Sequence, residues 1–120
     1  MIHHVVLGVS DLERSAAFYD SLLAPLGWRR HLEEDSIVGW GIAKPVFFVT
    51  ADASTSAAHG LVSFSAPGLA AVKAAWESGL SSGGSGIDGP GEARRTGSGS
   101  YSAFLADPDG HTIEVTVSSE

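Results

Sequence analysis

The stretch that decides the fold is HHVVLGVSDLERSAAFYDSLLAPLGW, residues 3–28, in which one spacing of apolar residues gives way to another. Residues 5–9 form a short run of mostly β-branched residues, which is typical of a strand. The apolar residues after Ser10 recur instead at helical spacing. Ser10 followed by Glu13 predicts a capping box at the helix start, and Pro25 and Gly27 predict the helix end. The predicted apolar stripe consists of Leu12, Ala16, Tyr19, Leu23 and Leu26.

Three further strands are predicted after this helix, near residues 28–33, 36–42 and 46–50, because turn-prone or charged residues separate three apolar runs. The first half of the chain therefore has the order β-α-β-β-β. In the second half the pattern predicts a strand from Leu61 and a helix over 67–80. A Gly/Ser-rich loop through 81–100 and two final strands around a DPDG turn follow.

The two halves show an internal repeat with an offset of 57 residues. The offset superposes Leu12 on Leu69, Tyr19 on Trp76, Leu23 on Leu80 and Gly27 on Gly84. Shared secondary-structure preferences can also produce such a match, so coincidence remains an alternative here. The repeat predicts a single domain, residues 1–120, built from a module of about 1–53 and a module of about 58–120. It also makes His4 equivalent to Leu61 and not to His59.

Composition narrows the classes of function. The 120 residues are 43% hydrophobic, and no apolar run is long enough to span a bilayer. With no signal peptide, a cytoplasmic protein without membrane contact is expected. Seven basic against 14 acidic residues give a net charge of −7, which disfavours nucleic acid as a partner. The chain has no cysteine, so any metal ligands must be His, Asp, Glu or water.

The opening stretch, together with FLADPDGHTIEV at residues 104–115, resembles the vicinal oxygen chelate superfamily of glyoxalase I, bleomycin-resistance proteins and extradiol dioxygenases. The resemblance implies an α+β fold of two tandem βαβββ modules, which form curved mixed sheets with the helices on the outer face. It also implies a homodimer in which modules from different chains complete one cavity.

Alternation along the strands selects the side chains that face this cavity. It places His4 on the cavity side of the first strand, Phe48 on the fourth, Leu61 and Ser63 on the fifth, and Glu114 on the last. Metal-dependent members of the resembled superfamily carry His, Glu or Gln ligands at positions 4, 48, 61 and 114.

Two of these four positions are apolar in this chain, so the metal site is predicted to be degenerate, with His4 and Glu114 as an incomplete ligand set. His59 lies about 6 to 7 Å further along the strand than Leu61 and is interpreted as a loop residue. His111 and the DPDG turn are given no functional role.

Aromatic and apolar side chains are expected to line the cavity. The predicted substrate-binding residues are Trp40, Phe48, Leu61, Ser63 and Tyr101. The loop through 81–100 has no phosphate-loop signature, and Arg94 and Arg95 either contact a ligand carboxylate or balance nearby acidic residues.

Three functions remain open. The first is binding of a small organic molecule in an apolar cavity, with no cofactor. The alternative is a lyase, isomerase or dioxygenase that depends on a divalent metal (Zn, Ni, Mn, Co or Fe) and acts on a small oxygenated substrate. The third is metal-free catalysis, with Glu114 as the base and His4 as its partner.

Overall fold

The computed structural model describes residues 2–52, 60–92 and 100–118. The helices are α1 (Leu12–Leu23) and α2 (Leu69–Ser81), with a short 3-10 helix at Ala24–Leu26. The strands are β1 (Val5–Gly8), β2 (Arg29–Glu33), β3 (Ile37–Gly41), β4 (Phe47–Thr50), β5 (Leu61–Ser65), β6 (Ser85–Glu92), β7 (Ser100–Ala106) and β8 (Thr112–Ser118). No helix in the described part is long and apolar enough to cross a membrane.

The strands form two four-stranded mixed sheets with the same internal order. The first sheet runs β1-β4-β3-β2 and the second β5-β8-β7-β6. In each sheet the first strand pairs in parallel with the last, and the remaining pairs are antiparallel. The predicted α+β fold of two βαβββ modules is therefore confirmed.

The start of α1 differs from the prediction. Its N-cap is Asp11, whose carboxylate accepts a hydrogen bond of 3.1 Å from the backbone N–H of Arg14. Ser10 does not form the predicted capping box, because its backbone N–H and hydroxyl both donate to the carboxylate of Asp109, at 2.9 and 2.6 Å. The predicted end is correct, since Gly27 adopts the left-handed conformation with φ 87°.

Part of the predicted Gly/Ser-rich loop is a strand. Residues 85–92 form β6, which pairs with β7 and completes the second sheet. Gly86 is required there, because a Cβ at this position would lie 2.8 Å from the indole ring of Trp76. The absence of a side chain at Gly86 thus lets the indole of Trp76, in α2, pack on β6.

One hydrophobic core is shared by the two modules. It contains the apolar faces of both helices and the sides of both sheets that face them. Phe47 and Phe64, one from each module, meet edge to face with ring centroids 5.0 Å apart, and Trp28 meets Phe64 in the same way at 5.4 Å. This packing leaves the opposite face of each sheet available for a site.

The turn between β7 and β8, residues 107–111, also joins the modules; we call it the DPDGH turn. Buried Asp107 accepts a hydrogen bond of 2.6 Å from the hydroxyl of Tyr19 in α1. His111, also buried, donates from Nε2 to the carbonyl of Gly8 in β1 at 2.8 Å. The DPDG sequence is thus a tight turn, as predicted, and His111 has a structural contact that the sequence did not indicate.

Candidate functional site

The first module presents His4 and Phe48 together on the face away from the helix. β1 and β4 pair with Val6 opposite Phe48, and the rings of His4 and Phe48 meet edge to face with centroids 5.7 Å apart. Val5 and Leu7, which alternate with these residues, pack against the core. The predicted alternation along β1 is therefore correct.

Phe48 is held in place by a glycine on the neighbouring strand. Gly39 pairs with Phe48 across β3 and β4, and a Cβ on Gly39 would lie 2.6 Å from two carbons of the phenyl ring. A contact this short is not tolerated, so the ring lies over the bare backbone of Gly39. The absence of a side chain at Gly39 thus defines where the aromatic ring of Phe48 sits.

The second module presents Leu61, Ser63 and Glu114 on the equivalent face. Ser63 pairs with Glu114 across β5 and β8, and Leu61 is 49% exposed. Glu114 is only 3% exposed, and its Oε2 atom is buried with no hydrogen-bond partner within the described part of the chain. Phe104, which sequence reasoning missed, pairs with Glu114 from β7 and is also buried.

Trp40 and Tyr101 do not line this face, contrary to the prediction. Trp40 is completely buried in the core beside Tyr19, and its indole N–H donates to Asp20 at 2.9 Å. Tyr101 is half-buried and packs against the shared hydrophobic core. Both residues follow the alternation of their strands, so the pattern that placed His4 correctly also indicates their true orientation.

A cleft of about 270 Å³ opens between the start of β1 and β5. Its polar lining consists of His3, His4, Ser63 and Ser65, and Trp28, Phe47 and Phe64 supply aromatic walls. The Nδ1 atoms of His3 and His4 are 2.9 Å apart, so one ring donates a hydrogen bond to the other. Sequence reasoning identified His4 and Ser63 but not His3 or Trp28, which no motif marks.

The four positions that the resemblance associates with a metal lie as two pairs on two different sheets. His4 contacts Phe48 in the first sheet, and Leu61 shares a face with Glu114 in the second. Among residues 2–52, 60–92 and 100–118, no three His, Asp or Glu side chains are grouped so that they could hold a metal ion. The donors described in one chain therefore do not fit a metal site with three protein ligands. His59, Arg94 and Arg95 lie outside the described residues.

Comparison with known proteins identifies relatives over nearly the whole chain. Residues 1–115 match the family model of the glyoxalase/bleomycin resistance protein/dioxygenase superfamily. No curated protein matches the chain. A crystal structure of a glyoxalase/bleomycin resistance protein from Albidiferax ferrireducens T118 is similar, with 31% identity, 95% of each chain covered and a TM-score of 0.82.

Two further solved structures share the fold at lower identity. A glyoxalase/bleomycin resistance protein/dioxygenase family enzyme from Burkholderia phytofirmans PsJN has 18% identity, 98% coverage of each chain and a TM-score of 0.75. A lactoylglutathione lyase from Agrobacterium tumefaciens has 21% identity and a TM-score of 0.66, over 95% of this chain and 91% of the other. From the family match and the 31% identity, the chain belongs to the glyoxalase/bleomycin resistance protein/dioxygenase superfamily.

Proposed function

We propose that the chain binds a small organic molecule in an apolar cavity and that its metal site is degenerate. The observation that carries the proposal is the presence of Phe48 and Leu61 at two of the four positions associated with metal ligands. Neither side chain has a lone pair to donate. Of these four positions, only His4 and Glu114 would offer a divalent ion a donor, fewer than the three protein ligands that such ions usually need. Apolar side chains at the other two positions favour contact with an organic surface.

The fixed position of Phe48 supports the same function. Its ring lies over Gly39 and against His4, so the protein itself holds this part of the wall in position. A wall that is already ordered lowers the entropy cost of binding.

The proposed partner is a second copy of the chain. Val6 and Leu61 are 40% and 49% exposed, on the sheet faces away from the helices. Two such faces, one from each chain, would enclose a cavity and bring the pair His4 and Phe48 to the pair Leu61 and Glu114. Sedimentation equilibrium is expected to give twice the mass of the chain. A monomer at all accessible concentrations would contradict this part of the proposal.

Metal analysis tests the degenerate site. After incubation with Zn, Ni, Mn, Co or Fe ions and removal of excess metal, the purified protein is expected to hold far less than one ion per cavity. The double variant Phe48→Glu with Leu61→His restores donors at both apolar positions and is expected to retain more metal. Stoichiometric metal in the unaltered protein would exclude the proposal.

A ligand screen tests the binding function. Calorimetric titration with small aromatic molecules, both neutral and charged, is expected to find ligands whose affinity falls when Leu61 is replaced by Asp. Leu80→Asp is a matched control, because Leu80 is a 37% exposed leucine on α2 and not on the cavity face. Equal loss of affinity in both variants would show that the effect is unspecific.

Glu114 supports a second candidate function, catalysis. The enzyme would be either a metal-dependent lyase, isomerase or dioxygenase of the same superfamily, or a metal-free enzyme with this carboxylate as base. A buried carboxylate oxygen without a described partner is costly, and such groups concentrate at functional sites. In this case Glu114→Gln should abolish turnover of a substrate found in the screen while leaving the folded structure intact. Unchanged turnover in this variant would exclude Glu114 as a catalytic residue.

A further inference from the structure

Among the residues that the structure describes, no acidic side chain lines the cleft between β1 and β5, although the chain carries a net charge of −7. Its polar side chains are two imidazoles and the hydroxyls of Ser63 and Ser65, all of which can donate a hydrogen bond. An anionic group therefore meets no like charge among the described residues of this lining, whereas the net charge of the chain as a whole is negative.

The strand edges next to the cleft add backbone donors. The N–H of Val5 donates to Val46 in the chain segment leading to β4, so the N–H groups of His4 and Val6, which alternate with it, point to the other side of β1. Within the described residues no strand pairs with that side.

The outer edge of β5 also presents backbone N–H groups. The N–H of Ala66 donates to Thr116 of β8, so the N–H groups of Ser63 and Ser65 point to the outer edge of β5, where no described strand pairs. Backbone N–H groups on two edges that pair with no described strand are suited to an anion or another hydrogen-bond acceptor.

The two histidines form a donor pair at the cleft. Because one Nδ1 atom donates to the other at 2.9 Å, the acceptor ring carries its proton on Nε2 when the pair is neutral. That Nε2–H group remains available to a ligand.

The aromatic walls set the size of the ligand. Trp28 is half-buried and meets Phe64 edge to face, so one indole surface borders the cleft. A dry cavity of about 150 Å³ accepts a benzene molecule. A cleft of about 270 Å³ therefore has room for one aromatic ring with a short acid side chain.

We propose that this cleft binds aromatic carboxylic acids, with the ring against Trp28 and the carboxylate at the donors of β1 and β5. The inference rests on the proposed small-molecule function, because His4 and Ser63 belong to both sites. It adds the ligand class and a second set of contacts, through His3, Trp28 and Ser65.

Titration of the ¹⁵N-labelled protein with four probes tests the ligand class. Phenylacetate carries both the ring and the charge, phenylacetamide and phenethylamine carry the ring with no charge or the opposite charge, and acetate carries the charge alone. Phenylacetate is expected to bind about tenfold or more tightly than the other three, because a carboxylate makes stronger hydrogen bonds than a neutral acceptor and the ring adds buried apolar area. The shifted amide signals should include those of His4 and Ser63 and the indole of Trp28.

Variants of Ser65 test the location. Ser65→Asp places a negative charge at the carboxylate position and is expected to weaken phenylacetate binding about tenfold or more. Ser65→Asn introduces a side chain of nearly the same shape as aspartate but without the charge. This variant should bind phenylacetate with an affinity within about threefold of that of the unaltered protein. Ser85→Asp adds the same charge to an exposed serine of β6, away from the cleft, and should not change the affinity.

Several outcomes would overturn the inference. It fails if phenylacetate does not bind, if phenylacetamide binds as tightly, or if Ser65→Asp and Ser85→Asp have the same effect. Should phenethylamine or phenylacetamide bind instead, with shifts at Leu61 and Phe48, this inference fails while the proposed binding function is supported.

Discussion

The DPDGH turn offers the sharpest test of how the two modules are held together, through the replacement of Asp107 by Ala. The carboxylate of Asp107 is 3% exposed and accepts hydrogen bonds from Tyr19 at 2.6 Å and from the backbone N–H groups of Asp109 and His111, each at 2.9 Å. Hydrogen bonds to a charged group contribute about 1.5–3 kcal/mol each, but their losses are not additive, because water enters the space left behind. We expect the free energy of unfolding to fall by about 3–5 kcal/mol.

A double-mutant cycle isolates the link between the modules. Tyr19→Phe removes only the hydroxyl that donates to Asp107, and it should cost about 1.5–3 kcal/mol because a buried carboxylate oxygen loses its partner. The double variant, Tyr19→Phe with Asp107→Ala, should lose less free energy of unfolding than the sum of the two single losses, by about 1.5 kcal/mol or more.

Urea unfolding followed by circular dichroism measures each of these free energies. Asp88→Ala is the matched control, since Asp88 is an exposed aspartate of β6 in the same sheet and its loss should change stability by no more than about 0.5 kcal/mol. A loss below about 1 kcal/mol for Asp107→Ala, or additive effects in the cycle, would refute the role assigned to this turn.

Three further predictions concern pH and packing. Burial, followed by the charge and hydrogen bond of Asp107, raises the pKa of Tyr19 well above its ordinary 10.0, so the unfolded chain loses this proton first and stability should fall above about pH 10. Tyr19→Phe should remove up to about 1.4 kcal/mol per pH unit of that fall in urea unfolding between pH 9 and 11. Burial alone would raise the pKa of Asp109, but its hydrogen bonds from Ser10 and the charges of Arg14 and His111 lower it overall below the ordinary 3.8. The stability that Asp109 contributes is therefore present above pH 3.8 and lost as the pH falls through its lower folded-state pKa, and acid unfolding of Asp109→Asn should lack this component. Gly39→Ala should displace the ring of Phe48 and cost about 1–3 kcal/mol, with a shift of the His4 ring signals in NMR spectra, whereas Gly60→Ala, where a Cβ meets nothing within 4 Å, should change stability by less than about 1 kcal/mol.

Strand alternation oriented the candidate site residues better than residue type did. It oriented His4 and Phe48 correctly, since period-two order follows directly from strand geometry. Trp40 and Tyr101 were assigned to the cavity because they are aromatic, against the alternation of their own strands, and both pack on the core side. Phe104 has the orientation that was sought, but a phenylalanine in an apolar strand is indistinguishable from a core residue until the register is known.

The helix start shows a different reason why prediction fails. Ser10 and Asp11 are both good N-cap residues, and local sequence does not choose between them. The choice follows from Asp109, which is 99 residues away in sequence from Ser10 and accepts both of its hydrogen bonds. A contact at this separation depends on the packing of the two modules, so no local pattern contains it.

The repeat is also broken at one position that affects the candidate site. Phe48 and Glu114 are equivalent in their sheets, so Pro45 is equivalent to His111, three residues earlier in each case. His111 donates to the carbonyl of Gly8 at the outer edge of β1, whereas proline has neither a ring donor nor a backbone N–H with which to make the matching contact. By the offset of 57 residues, the counterpart of Gly8 is Ser65, which borders the cleft between β1 and β5. The edge of β5 at Ser65 therefore lies next to the proposed cleft, whereas the edge of β1 at Gly8 is occupied by His111.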